Sequence, residues 1–286
     1  VCATDLLWDV ATGLEVRTLR GHGDPVESLF FALDGRTLAA QGDGTVTLWD
    51  LATGRKVRTL RGHGDLAGPV AFAPGGRTLV AASENGIVKL WNVATGREVR
   101  TLRGHEDPVD SVAFAPDGRT LAAGGDGTVT LWDVATGRKV HTLRGGGMVC
   151  SVAFAPDGRT LATGGDGTVT LWDVATGREM RTLRGHEEKV YSVAFAPDGR
   201  TLASESWDTN VKQWDVATGR EVRTLRGHER FVNSVAFAPD GRTLASLGHD
   251  GIRLWRVADG AHLATLISLT DGSWVITDPA GRFDTA

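Results

Sequence analysis

One pattern recurs about every 40 residues along the 286-residue chain, and this repetition restricts the fold more than any other feature. The pattern ends on a tryptophan, and the successive spacings of these tryptophans are 41, 42, 41, 40, 42 and 41 residues. They are Trp8, Trp49, Trp91, Trp132, Trp172, Trp214 and Trp255. The string SVAFAPDGRTLA also occurs four times, beginning at Ser111, Ser151, Ser192 and Ser234. Such a period indicates stacked copies of one small structural unit.

Each repeat predicts four short antiparallel strands, which we name a, b, c and d in chain order. In the repeat that begins at Val109 they read VDSVAFA, RTLAAG, TVTLWDV and KVHTL. Alternating apolar and polar residues favour strands, and the Asp-Gly pairs between them are hairpin signals. A small sheet with two apolar faces cannot bury both alone, so the copies must pack on each other. Closing the stack into a ring removes its two exposed end faces.

The repeat, with Gly-His upstream and Trp-Asp near its end, resembles the WD40 (WD-repeat) family of β-propellers over nearly the whole chain. The resemblance implies a non-catalytic propeller that binds proteins or peptides. Near-identical repeats and the ending DGSWVITDPAGRFDTA are also similar to bacterial multidomain WD-repeat proteins. This second resemblance implies that the chain is one domain of a larger bacterial protein.

Six complete a–d units and two incomplete pieces predict the number of blades. The C-terminal piece reads as strands a and b, and the N-terminal piece reads as strands c and d. We therefore expect an all-β, seven-bladed WD40 β-propeller that forms a single domain over 1–286, with the seventh blade closed by both termini. The expected blades are approximately 26–60, 67–102, 109–143, 149–183, 190–225, 232–266, and 272–286 plus 4–19.

Histidine, serine or threonine, aspartate and tryptophan recur in the units, as in a hydrolase triad. In WD40 proteins the equivalent residues form a structural hydrogen-bonded tetrad, and the resemblance implies the same role here. Two complete sets occur, His186, Ser204, Asp208 and Trp214, and His228, Ser246, Asp250 and Trp255. The fourth unit keeps Thr163, Asp166 and Trp172 but lacks the histidine. Because repetition contradicts a single active site, we expect no enzyme and no catalytic residue.

Composition limits the classes of partner and the cellular compartment that we expect for this chain. A net charge of −4 and a pI near 6.1 argue against a surface that binds nucleic acid, because such surfaces are normally basic. No apolar run approaches the roughly 18 residues of a membrane span. Two cysteines are too few for a disulfide framework, which favours the cytoplasm. No histidine lies near cysteines or carboxylates at ligand spacing, so we expect neither metal nor cofactor. The expectation is a cytoplasmic, monomeric propeller.

The repeats differ from each other mainly in the d–a and b–c connections, which emerge on one face of such a propeller, here called the top face. Large side chains cluster in these connections at Met148, Tyr191, Trp207 and Phe231. Aromatic side chains on an exposed surface are typical anchors of protein interfaces. We therefore predict a partner site there, with the surrounding residues Glu187, Glu205, Arg230, Asn233 and His249. The alternative is a structural or regulatory spacer domain whose loops have drifted and bind nothing.

Overall fold

The computed structural model describes residues 4–8, 15–20, 26, 28–42, 44–61, 67–83, 85–105, 108–145, 147–268, 274–280 and 282–285. The regular elements within these ranges are 28 β-strands. The all-β prediction is therefore confirmed. The first two strands, β1 (Thr4–Trp8) and β2 (Glu15–Arg20), pair antiparallel as a separate two-stranded sheet.

The next strands form blades, each made of four antiparallel strands hydrogen-bonded in chain order. The first three blades are β3 (Ser28–Phe31), β4 (Thr37–Gly42), β5 (Thr45–Asp50) and β6 (Arg55–Arg61); β7 (Ala67–Phe72), β8 (Thr78–Ser83), β9 (Val88–Asn92) and β10 (Glu98–Leu102); and β11 (Val109–Phe114), β12 (Thr120–Gly125), β13 (Thr128–Asp133) and β14 (Lys139–Arg144).

The fourth and fifth blades are β15 (Val149–Phe154), β16 (Thr160–Gly165), β17 (Thr168–Asp173) and β18 (Arg178–Arg184); and β19 (Val190–Phe195), β20 (Thr201–Ser206), β21 (Val211–Asp215) and β22 (Glu221–Leu225). The sixth contains β23 (Val232–Phe237), β24 (Thr243–Gly248), β25 (Gly251–Arg256) and β26 (His262–Ser268). The last two strands are β27 (Trp274–Thr277) and β28 (Phe283–Thr285).

The structure has six blades, so the prediction of seven is wrong. Residues 272–286 and 4–19 were expected to combine into one closing blade. Instead, β27 pairs with β26 from Thr265↔Thr277 to Ser268↔Trp274, and β28 pairs with β27. The sixth sheet consequently has six strands, whereas β1 and β2 remain a sheet of two.

The end of strand d explains this difference. In the other blades strand d ends within or just before an Arg-Gly pair, and Gly104, Gly185 and Gly227 have φ of 107°, 150° and 152°. Only glycine takes such backbone angles readily, and it turns the chain out of the strand. The sixth blade has Ile267 and Ser268 at this point, so β26 continues and its edge pairs with β27.

Two apolar side chains of the sixth blade are exposed to solvent. Ile252 in β25 is 36% exposed, whereas Val129, at the same position of β13, is 2% exposed. Leu247 in β24 is 44% exposed.

The chain divides into two compact units, Val1–Thr142 and Leu143–Ala286. The single domain over 1–286 stays a prediction. Within each unit, the core lies between consecutive blades. In the first unit, Leu48 and Leu60 of the first blade pack with Leu79 of the second. In the second unit, Leu171 of the fourth blade packs with Val190 of the fifth.

Arginines of strand d connect several blades to the next one along the chain. The Nη2 of Arg58 donates to the carbonyl of Ala94 across 2.9 Å, and Arg181 reaches Ala217 in the same way across 3.0 Å. Both acceptors lie in the ATG turn between strands c and d of the following blade. Arg100 and Arg223 make the same contact between other consecutive blades, and Arg17 of β2 donates to the carbonyl of Ala52 in the first blade. This contact was not predicted from the sequence, although the arginine recurs in the RTL string of strand d.

Candidate functional site

The first predicted tetrad lies inside the fifth blade. The Nδ1 of His186 is 2.8 Å from Oδ2 of Asp208, and its Nε2 is 2.7 Å from Oγ of Ser204. The indole N–H of Trp214 donates to the same Ser204 Oγ across 2.7 Å. The hydroxyl therefore lies between two buried rings, and Ser204 is completely buried. This geometry holds strands b and c to the d–a connection and leaves the serine no access to a substrate.

The sixth blade repeats this arrangement. His228 Nδ1 is 2.6 Å from Asp250 Oδ1, and its Nε2 is 2.7 Å from Ser246 Oγ. The indole N–H of Trp255 donates to Ser246 across 2.8 Å. Two copies of the same buried geometry, in consecutive blades, favour a structural role for these residues.

The charges of the two tetrads follow from their burial and hydrogen bonds. Burial alone would raise the pKa of Asp208, but the hydrogen bond and charge of His186 outweigh it and lower that pKa to about 2. Burial lowers the pKa of His228 despite the opposing hydrogen bond with Asp250. The carboxylates are therefore ionised at neutral pH and the neutral form of His228 is favoured.

The aromatic residues predicted for the top face form one stack. The ring of Trp207 lies 4.6 Å from that of Tyr191 with an interplanar angle of 16°, and 4.9 Å from that of Phe231 with an angle of 26°. Trp207 is 37% exposed and Phe231 is 49% exposed. The structure thus brings together three of the four predicted anchors, from the fifth blade and the start of the sixth.

Backbone hydrogen bonds hold this stack in place. The N–H of Trp207, in the turn between β20 and β21, donates to the carbonyl of Lys189 across 3.1 Å. The N–H of His249 donates to the carbonyl of Phe231 across 3.2 Å. Each b–c turn is therefore fastened to the chain that enters strand a of its own blade. Lys189 was not among the predicted residues.

The turn that carries Trp207 contains a strained residue. Thr209 has a φ of 68°, and it is the one non-glycine residue with positive φ in the described part of the chain. The equivalent residue of the second blade is Gly86, with a φ of 73°. A β-branched residue pays a steric cost for this conformation, and such strain concentrates at functional sites. Hydrogen bonds of Asp208 and Asn210 within the turn stabilise it.

The remaining predicted site residues divide into exposed and buried positions. Met148 is half-buried, and the Nζ of Lys189 lies 3.8 Å from its Sδ. Four further residues are exposed, namely Glu187, Arg230, Asn233 and His249. Glu205 was expected at the rim, but β20 places it in the interior with no exposed surface.

Glu205 has an unusual environment. Neither oxygen of its carboxyl group has a hydrogen-bond partner within the described residues. Burial, and secondarily the nearby charge of Asp208, raises the pKa of Glu205 to about 9. At neutral pH the group is therefore a protonated acid. The pattern of alternating residues could not reveal this, because glutamate in a variable loop is ordinarily solvated.

No group of three or more histidine, cysteine or acidic side chains in the described ranges is arranged to hold a metal ion. The part of the chain described by the structure contains no helix long and apolar enough to cross a membrane.

Four-stranded blades with repeated His–Ser–Asp–Trp hydrogen bonding define a β-repeat protein built from propeller blades. The family model described as "WD domain, G-beta repeat" matches residues 13–50, 54–92, 96–133, 137–173, 177–215 and 219–256. The chain therefore belongs to the WD40 family. Its propellers are generally non-enzymatic scaffolds that bind protein partners. Comparison with curated proteins gave no match.

Proposed function

We propose that this chain is a non-catalytic scaffold that captures a protein or peptide on the top face of its fifth and sixth blades. The observation that carries the proposal is the exposed stack of Tyr191, Trp207 and Phe231. Burial of the exposed parts of these rings by a partner would release water from apolar surface. Aromatic residues in such positions supply much of the binding energy of known interfaces.

Rigidity of the stack supports the same proposal. Trp207 is held by two ring contacts and by its backbone bond to Lys189, so a partner need not order it. Preorganised side chains lose less conformational entropy on binding. The strained Thr209 beside Trp207 lowers stability, and a binding site is a reason for a fold to keep such strain.

The rim that we propose for this site carries both signs of charge. Glu187 and Arg230 are exposed and carry opposite charges. The exposed residues Asn233 and His249 add polar groups. A mixed, polar rim around an apolar centre is typical of protein interfaces. It favours a peptide or protein over a strongly charged polymer such as nucleic acid. We further propose that the chain acts as a monomeric cytoplasmic domain of a larger bacterial protein, without catalytic activity.

A selection experiment tests this proposal. The full chain would be used to select binders from a random peptide display library, and each selected peptide would then be tested on variants. Trp207→Ala and Tyr191→Ala should abolish or strongly weaken capture of most selected peptides. Phe31→Ala is a matched control, because Phe31 is an aromatic residue 60% exposed in β3 of the other unit. It should leave capture unchanged.

The competing function is that of a structural or regulatory spacer with no binding site of its own. It predicts that the library yields no specific binders. Binders that are insensitive to all three substitutions at the stack, including Phe231→Ala, would also contradict the proposed site.

A further inference from the structure

The fourth blade contains a cavity of about 320 Å³ at the place where the fifth and sixth blades hold a histidine. The fifth blade reads RGHEEKV between strands d and a, whereas the fourth reads RGGGMV and has no histidine. Residues around the cavity include Gly145, Met148, Thr163, Asp166, Thr170 and Glu179. All of them belong to the second compact unit.

The hydroxyl that would meet an imidazole is still in place. The indole N–H of Trp172 donates to Thr163 Oγ1 across 3.0 Å, as that of Trp214 donates to Ser204 Oγ across 2.7 Å in the fifth blade. The Thr163 hydroxyl is 3.4 Å from the carbonyl of Thr170, a long hydrogen bond. Because this bond is weak, the hydroxyl proton can turn towards another acceptor.

The carboxylate that would meet the imidazole is also retained. Asp166 Oδ2 accepts the backbone N–H of Met148 across 3.2 Å, as Asp208 Oδ2 accepts that of Glu187 across 3.1 Å in the fifth blade. The aspartate therefore has the same backbone support in both blades. Asp166 is exposed, so a ligand can approach it from solvent.

A second substitution enlarges the cavity. In the fifth blade the Nζ of Lys212 lies 2.8 Å from Glu221 and 3.0 Å from Thr224, beside the d–a connection. The fourth blade has the smaller Thr170 at the lysine position. The loss of a histidine and a lysine side chain leaves room for a ring, since a cavity of about 150 Å³ already holds benzene.

We propose that the fourth-blade cavity binds an imidazole ring, supplied either by a histidine of a partner peptide or by a free imidazole compound. One ring N–H donates to Asp166, and the hydroxyl of Thr163 donates to the other ring nitrogen. The two nitrogens of His186 contact the equivalent groups in the fifth blade, Nδ1 at 2.8 Å from Asp208 Oδ2 and Nε2 at 2.7 Å from Ser204 Oγ. The site is independent of the aromatic stack and stands whether or not the stack binds a partner.

The test is a titration of the full chain with imidazole at a pH near 8, where the ring is neutral. The indole N–H signal of Trp172 in the NMR spectrum, identified by its loss in Trp172→Phe, reports on the site. We expect a saturable shift with a millimolar dissociation constant, as befits so small a ligand. Replacing Asp166 with Ala or Thr163 with Val should weaken binding about tenfold or more.

Ligand controls need no mutation. 1-Methylimidazole lacks the ring N–H that Asp166 would accept, so it should bind at least about tenfold more weakly than imidazole. The Trp214 signal of the unchanged chain should not move, because His186 fills that site. In His186→Gly, imidazole should enter the fifth blade and shift the Trp214 signal, which calibrates the readout.

A Gly-His-Gly peptide distinguishes the two sources of the ring. Competition by this peptide supports a partner histidine, whereas binding of free imidazole alone supports a small-molecule site. A Trp172 signal that does not move at about 100 mM imidazole overturns the proposal. Equal binding of imidazole and 1-methylimidazole, or binding unchanged in Asp166→Ala, also overturns it.

Discussion

The hydroxyl of Ser204 accepts the indole N–H of Trp214 across 2.7 Å while lying 2.7 Å from Nε2 of His186. One buried oxygen thus satisfies two ring nitrogens, so Ser204→Ala should leave two buried polar groups without a partner. We expect a loss of about 2–4 kcal/mol in the free energy of unfolding, measured by urea denaturation.

The alanine at position 123 of the third blade offers a matched control for this substitution. Ala123 already occupies the hydroxyl position there. Ala123→Gly reduces the side-chain volume at this position without removing a hydrogen bond. Comparison with Ser204→Ala therefore separates the effect of packing from the effect of lost hydrogen bonds. A cost below about 0.5 kcal/mol for Ser204→Ala would show that the tetrad contributes little to stability.

Buried Glu205 predicts an unusual dependence of stability on pH. Its pKa in the folded protein is raised to about 9 from 4.5, so the folded state retains a proton that the unfolded state loses. Its contribution to stability is complete below pH 4.5 and decreases as the pH rises towards 9. Glutamine cannot ionise, so Glu205→Gln should remove this dependence.

The difference in unfolding free energy between Glu205→Gln and the unchanged chain should grow in favour of the variant by up to about 4 kcal/mol between pH 5 and pH 8. Exposed Glu188→Gln is the control and should change stability by less than about 0.5 kcal/mol at each pH. A constant difference for Glu205→Gln across this range would mean that the carboxyl is solvated or paired.

The positive φ of Thr209 leads us to predict that a substitution at this position, close to the aromatic stack, stabilises the protein. It holds a φ of 68°, which glycine adopts without steric cost. Thr209→Gly should therefore raise the melting temperature, with a gain of about 1 kcal/mol. Thr218→Gly is the control, since the Thr218 hydroxyl bonds to Asp215 across 2.6 Å and its loss should destabilise. A lower melting temperature for Thr209→Gly would contradict the claim that the backbone of Thr209 is strained.

The hydrogen bonds of the Arg223 guanidinium group lead us to predict that lysine cannot replace arginine in the contact between blades. Its Nη1 donates to Gln213 Oε1 and to the carbonyl of Val257, both across 3.1 Å, and its Nη2 donates to that of Ala258 across 3.3 Å. Lysine lacks this planar set of donors. Arg223→Lys should cost about 1–2 kcal/mol in urea denaturation.

Arg220 immediately precedes β22, the strand that contains Arg223, and its side chain is exposed, so Arg220→Lys should be neutral within about 0.5 kcal/mol. Equal effects of the two lysine substitutions on the free energy of unfolding would mean that the Arg223 contact does not stabilise the packing between blades.

Sequence periodicity predicted the strands of all six blades because each strand alternates and ends at a turn with specific residues. It failed at the closure, where counting residues suggested a seventh blade. The deciding feature is local: Ile267 and Ser268 replace the Arg-Gly that ends strand d elsewhere, and β26 pairs onward with β27. A residue count contains no information about where a strand stops.

The clustering of three aromatic side chains was predictable from the sequence, but their detailed arrangement was not. The positions of Tyr191, Trp207 and Phe231 in variable connections indicated a cluster, but mutual stacking depends on three-dimensional distances between separate loops. The burial of Glu205 was not predictable, because one glutamate in a variable segment carries no signal of its environment. Strain at Thr209 likewise depends on backbone angles that composition does not determine.

The most direct test of the central proposal is isothermal titration of a library-selected peptide against the unchanged chain and Trp207→Ala. We predict a dissociation constant about 30-fold weaker for the variant, the equivalent of about 2 kcal/mol, because Trp207 is the middle ring of the stack. Its melting temperature should be unchanged within error. An unchanged dissociation constant in a folded Trp207→Ala variant would contradict the account.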